Sequence, residues 1–344
     1  MKYSIGYQLP DEFFSTYELC KNYSDAVSEV YFSYSDEPSG RFTLKGDNEE
    51  ETAQIANLQL EELGEIKKLG KSLTLLYNAN CYGDRATSLE LKKHILSRTE
   101  FLKNKLDIDC ITTTSPFIAE IIKEAFRDDI KIRASVNMKI GSVSAMEQLA
   151  DFFDGYYLQK EYNRNFKVIK ELKNWCDKNG KSLHILANSG CMQNCAFQTF
   201  HDNLIAHSVG DNGIENVNLG FSAPCHRFLS SLGAEKGITK FMQSNFIRPE
   251  EVYLYEEYFT EMKLATRMHS RPTMVLAAYA RGKFSGNLLD LTEPSYSSLF
   301  KGYILDNAKI PSDWVNSAYF CNKNCYECNV CNTAVKKAVY KIDY

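Results

Sequence analysis

Seven of the eleven cysteines fall in two groups with metal-ligand spacing. Cys191 and Cys195, separated by Met-Gln-Asn, lie mid-chain and are joined later by Cys225. Cys321, Cys325, Cys328 and Cys331 lie near the C-terminus. Thiolates at gaps of three and two residues let one short loop present several sulfurs to a single centre, which is how iron–sulfur clusters and structural zinc are held. The C-terminal set can close a tetrahedral zinc site or bind one 4Fe–4S cubane. Its tight spacing is nearer to ferredoxin-type loops than to the separated pairs of a zinc ribbon, so iron–sulfur is the first expectation and zinc the alternative. The mid-chain set offers three sulfurs. A cluster on three thiolates leaves one iron open to substrate, unless Cys81 or Cys176 supplies a fourth. The radical-SAM spacing needs a further cysteine at position 198, where Gln198 stands. Cys20 and Cys110 read as buried structural cysteines.

Other polar residues end apolar runs. Asn78 and Asn80 follow the third such run, Thr112 to Thr114 the fourth, Asn137 the fifth and Asn188 the seventh; Lys263 and Arg267 belong to the last. Gathered at one end of a sheet, Asn78, Asn80 and Asn188 would hydrogen-bond a polar planar ligand. His201, Arg248, Lys263 and Arg267 are the candidates for acid–base or charge-stabilising work. His207 is a further candidate. Arg248 faces either an anionic substrate group or the nearby Glu250 and Glu257. The opposing reading of all these residues is helix capping and satisfaction of strand-end backbone.

The elements that must position them alternate in type. Strands are expected at Tyr3–Gln8, Glu29–Tyr34, Ser72–Ala79, Cys110–Thr114, Lys131–Asn137, Gly155–Leu158, Ser182–Asn188 and Met262–Thr266. Helical periodicity marks Glu50–Leu69, Ser88–Asn104, Pro116–Phe126, Asn165–Lys178 and Arg271–Arg281. Eight β/α units predict a (β/α)8 TIM-like barrel over residues 1–284, with active groups at the C-terminal ends of its strands. An open doubly wound sheet is the alternative, but no Gly-rich phosphate loop follows the first strand. Residues 191–245 are expected as a long cysteine-bearing insertion, and 285–344 as a C-terminal extension carrying the four-cysteine site.

Hydrophobic residues make up 44% of the 344-residue chain, enough for a substantial core, and the net charge of −4 gives no general attraction to nucleic acid or an anionic membrane. No apolar run approaches the ~18 residues of a membrane span, and the N-terminus lacks a signal-peptide pattern. A cytoplasmic protein without membrane association is expected, in which clustered cysteines are metal ligands or redox groups rather than disulfides.

The stretch Leu186-Ala-Asn-Ser-Gly-Cys191 through Cys195-Ala-Phe-Gln and His201 resembles the collagenase-like peptidase family, peptidase family U32. Phe246-Ile-Arg248-Pro249-Glu250, Met262-Lys263, Arg267, Phe284-Ser-Gly286-Asn287, Leu305-Asp306-Asn307 and the terminal cysteines extend the likeness. It is to small iron–sulfur members with TIM-like barrels, related to the ubiquinone- and RNA-hydroxylation proteins. The resemblance implies an iron–sulfur protein with Cys191, Cys195 and Cys225 as ligands. The longer family signature is not reproduced, and the sequence has no Ser–His–Asp set, metallo-hydrolase helix motif or aspartyl dyad. Three functions compete. One is an iron–sulfur enzyme that modifies a small metabolite, nucleobase or peptide by oxygen-independent hydroxylation, other redox chemistry or Lewis-acid catalysis. The others are a peptidase, and a non-enzymatic cluster protein that passes electrons to a partner protein.

Overall fold

The computed structural model describes residues 1–35, 37–40, 44–207 and 223–342. Eight parallel strands form the centre: β1 Lys2–Gly6, β2 Val27–Phe32, β3 Ser72–Tyr77, β4 Cys110–Thr113, β5 Lys131–Ala134, β6 Gly155–Tyr157, β7 Ser182–His184 and β8 Glu261–Lys263. Each expected strand is present, shortened by up to four residues at its C-terminal end. Ladder pairing stops where the loops begin to turn over the mouth.

Neighbouring strands follow chain order from β1 to β7, with β8 beside β1. Closure comes from residues just beyond β7: Lys263 donates to the Ile185 carbonyl at 2.9 Å, and Ala187 donates to the Lys263 carbonyl at 2.9 Å. The strands therefore make a nearly closed TIM-like barrel, and β1–β8 contact requires close approach. A Cβ on Gly6 would lie 2.6 Å from the Arg267 backbone nitrogen, so only glycine fits there.

Helices α1 Thr16–Asn22, α2 Glu49–Lys68, α3 Leu89–Leu106, α4 Pro116–Phe126, α5 Val143–Gln148 and α6 Phe166–Lys178 cover the barrel between strands. Their starts are capped by side-chain oxygens of Ser15, Asn48, Ser88, Ser115, Ser142 and Asn165, each accepting from a backbone N–H in the first turn. In α6 the stripe Ile169, Leu172 and Cys176 is buried at helical spacing, each aliphatic side chain contributing roughly 1.5–3 kcal/mol. The segment after β7 carries α7 Gln198–His207, α8 Pro224–Ser231 and α9 Ala234–Met242; its residues 208–222 lie outside the described part. Helix α10 Pro272–Arg281 follows β8.

Beyond it, α11 Ser312–Tyr319, α12 Val330–Ala338 and the antiparallel pair β9 Tyr303–Leu305 with β10 Val339–Lys341 complete the chain. Helix α12 packs on α9, so the C-terminal cysteines rest on the segment that follows β7. Among the described residues no helix is long and apolar enough to cross a membrane.

Candidate functional site

The barrel lumen is polar at mid-height. Glu29 on β2 and Arg133 on β5 form an ion pair at 2.5 Å, a contact between non-adjacent strands that must cross the lumen. Ser4 on β1 donates to the other Glu29 oxygen at 2.6 Å. Burial alone would raise this carboxyl, but Arg133 and the hydrogen bond from Ser4 outweigh it and hold its pKa at about 2. His184 on β7 lies against the Tyr157 ring; burial and the Arg133 charge keep it well below the ordinary histidine value, hence neutral.

Above this pair sits Lys263. Its Nζ lies 3.7 Å from the centre of the Tyr31 ring and 5.0 Å from that of Tyr157. The Tyr31 ring is fixed because its hydroxyl donates to the Leu264 carbonyl at 2.8 Å. Among the described residues no carboxylate lies within 4.0 Å of Nζ and no acceptor receives a hydrogen bond from it. Burial lowers its pKa to about 7; Glu29 opposes the fall, while Arg267 and Arg133 add to it.

Lys263 opens on an inner chamber of about 70 Å³ lined also by Asn78, Thr112, Asn137, Arg267 and Glu293. Asn78 accepts from the Gly40 N–H at 3.0 Å, and Arg267 donates to Ser33 and Ser39, each at 3.1 Å. Thr112 Oγ1 is buried and has no hydrogen-bond partner among the described residues.

Asn137, Leu186 and Glu293 also border a second, wider chamber of about 350 Å³. Cys191 and Cys195, from the loop after β7, and Cys225, from the first turn of α8, all line it, together with His201, Asp202 and Tyr296. Burial pushes the Cys225 thiol up to about 11, with Cys191 and Cys195 adding to the rise. Cys195 is likewise raised by burial. The thiols thus feel one another across one cavity. Even so, among the described residues no three His, Cys, Asp or Glu side chains are drawn together tightly enough to hold an ion.

The loop carrying Cys191 is held by Gly190, which donates to the Glu293 carbonyl at 2.9 Å; a Cβ there would lie 2.4 Å from the Pro294 oxygen. At the C-terminus Cys321, Cys325, Cys328 and Cys331 all border a small cavity of about 50 Å³. Cys331 is raised by burial, with the Trp314 side chain and Arg164 opposing.

Of the sequence candidates, Lys263, Arg267, Asn78 and His201 reach the two chambers, as do the mid-chain cysteines. Six others do not. Asn188 is consumed by backbone: its amide donates to the Ala265 and Leu291 carbonyls at 3.2 Å and accepts from the Ala265 N–H at 2.6 Å. Asn80 donates to Asp202 at 3.2 Å, bracing a wall of the wider chamber from behind. Arg248 is buried elsewhere, 3.2 Å from Glu251 and 3.5 Å from Glu250, where it neutralises carboxylates instead of facing a ligand. His207, the last residue of α7, is exposed. Cys81 and Cys176 line neither chamber; Cys176 packs inside α6, with its pKa raised to about 12 by burial.

The sequence reading passed over Glu29, Tyr31, Arg133, Tyr157, Glu293 and Tyr296. A charged residue inside a strand of a fold buried on both faces is a signal for the first and third of these. Glu293 has no such signal, since it comes from far along the chain.

No protein-family model matches the chain, and no curated protein matches it by sequence. Among solved structures it is similar to the U32 peptidase Mk0906, with a TM-score of 0.53 at 12% identity over 77% of this chain and 92% of that one. A modular endo-β-1,4-mannanase from Cellulomonas fimi overlays more loosely, with a TM-score of 0.39 at 10% identity over 62% of each chain. A chitinase from Rhizomucor miehei gives a TM-score of 0.43 at 11% identity, over 82% of this chain and 100% of that one. The likeness to Mk0906 is one of fold, a U32-like TIM barrel.

Proposed function

We propose that this chain is an iron–sulfur enzyme acting on a small polar substrate at the mouth of the barrel. The observation that carries the reading is that Cys191 and Cys195, from one loop, and Cys225, from α8, line one cavity that shares part of its wall with the chamber of Lys263 and Arg267. The donor set fits such a group. Cys225, raised by burial and by Cys191 and Cys195, is costly as a thiolate unless a cation offsets the charge. The Tyr296 hydroxyl on the same wall is buried without a partner among the described residues, a donor suited to a sulfide or thiolate acceptor. When bound, the cluster would supply electron transfer or an open Lewis-acidic iron. The chain's own residues would do the rest: Asn78, Asn137 and Arg267 orient the substrate, and Lys263 holds or takes a proton at Nζ. The C-terminal cysteines would hold a second iron–sulfur centre, or zinc.

The test is anaerobic purification followed by iron and sulfide analysis and electron paramagnetic resonance. About four to eight irons per chain are expected. Cys191→Ser and Cys328→Ser should remove separate signals. A colourless, iron-free protein after anaerobic reconstitution would sink the proposal. The likeness to Mk0906 favours a second reading, a peptidase. It requires peptide cleavage that survives Cys191→Ser, and cleavage lost together with iron would count against it.

A further inference from the structure

The Lys263 side chain is half-buried, its amine opens on a chamber, and it has aromatic faces where a lysine in a folded core ordinarily has a carboxylate. The charged groups around it are Glu261 on its own strand, Glu29, Arg133 and Arg267 from elsewhere, and Glu293 on the chamber wall. Glu29 from β2 is held by Arg133 from β5, and Arg267 is held by Ser33 and Ser39. The same chamber is lined by Thr112, whose buried hydroxyl has no partner among the described residues. A primary amine and a hydroxyl lining one small chamber suit one electrophile, a carbonyl carbon whose oxygen the hydroxyl can reach. The space sets the size. About 70 Å³ holds on the order of five waters, which is room for a compound of roughly two to four carbons.

We infer that Lys263 forms an imine with a short aldehyde or 2-oxo acid bound in the inner chamber. The Nζ lone pair attacks the carbonyl carbon and the C–N bond forms. Both amine protons pass to the carbonyl oxygen, which leaves as water as the C=N bond closes. No oxidant or reductant is needed. The inference rests on the reading that this chamber is the substrate site, and it narrows the substrate to a carbonyl compound. Arg267 lines the same space, so a carboxylate-bearing compound is preferred. At pH 7 a lysine with a pKa of about 7 carries on the order of a thousand times more neutral amine than a surface lysine.

The full-length protein is incubated at pH 7 with glyoxylate, pyruvate or acetaldehyde and sodium cyanoborohydride, which fixes an imine as a stable secondary amine, and is then mapped by peptide mass. The expected result is one adduct per chain, on the Lys263 peptide, forming at least about tenfold faster than on any other lysine. Glyoxylate and pyruvate should exceed acetaldehyde. Lys263→Met abolishes the adduct and Thr112→Val slows it. Adducts spread over many lysines, with no excess at Lys263 for any of the compounds, would overturn the inference without recourse to a variant. The readout does not depend on iron. An adduct on a protein that never holds iron leaves the imine standing and removes the cluster; iron without an adduct does the reverse.

Discussion

Replacing Lys263 with methionine should make the protein more stable at neutral pH, and the gain should vanish in alkali. Burial lowers the Lys263 pKa from its ordinary 10.5 to about 7. A lysine whose pKa falls on folding binds fewer protons in the native state, so stability rises as pH climbs between those two values. At pH 7 the charge costs the fold about 4 kcal/mol, at pH 9 about 2, and near pH 10.5 less than about 1. The contact with the Tyr31 face at 3.7 Å returns about 1–2 kcal/mol when the amine is protonated. Methionine keeps the unbranched shape and packs its sulfur against the same rings. The net gain is then about 2–3 kcal/mol at pH 7. Urea unfolding of both proteins at pH 7, 8, 9 and 10 measures it, and background titrations cancel in the difference. A variant less stable than the parent at pH 7, or a difference that does not change with pH, would refute the reasoning.

Arg133→Met leaves Glu29 buried without its partner and should lower stability by about 3–5 kcal/mol in urea unfolding at pH 7, with most of the loss recovered in Glu29→Gln, Arg133→Met. Because Glu29 falls from its ordinary 4.5 to about 2, its contribution of about 3 kcal/mol is present above pH ~4.5 and is lost as pH falls toward 2, so the parent should lose about that much stability relative to the double variant in acid. Gly190→Ala places a Cβ 2.4 Å from the Pro294 oxygen; it should cost about 1–3 kcal/mol of stability and lower the iron content of anaerobic preparations.

The order of strands and helices was legible because it is set locally. Runs such as Ser72–Tyr77 are too apolar for loops, and stripes such as Ile169, Leu172 and Cys176 fit only the helical period. Ser115, directly before Pro116, caps the helix that the periodicity places at Pro116–Phe126. Eight such units leave few ways to cover every strand, so the barrel followed from the count. Cysteine spacing likewise named the thiols, since gaps of two and three residues are readable without coordinates.

What each strand-end residue does was not legible. Asn188, Asn80 and Arg248 look like Asn78 and Lys263 in a one-dimensional pattern, yet they serve backbone carbonyls, Asp202 and Glu251. The cross-lumen pair of Glu29 with Arg133, and the arrival of Glu293 at the mouth, join residues with no periodic relation in the chain. Barrel closure brings β8 beside β1 and the end of β7, and only then does Lys263 lose water and face two tyrosine rings. Residue type and local period select elements through short-range sterics and burial. The environment of a buried charge depends on every strand that surrounds it, and that exists only once the barrel is closed.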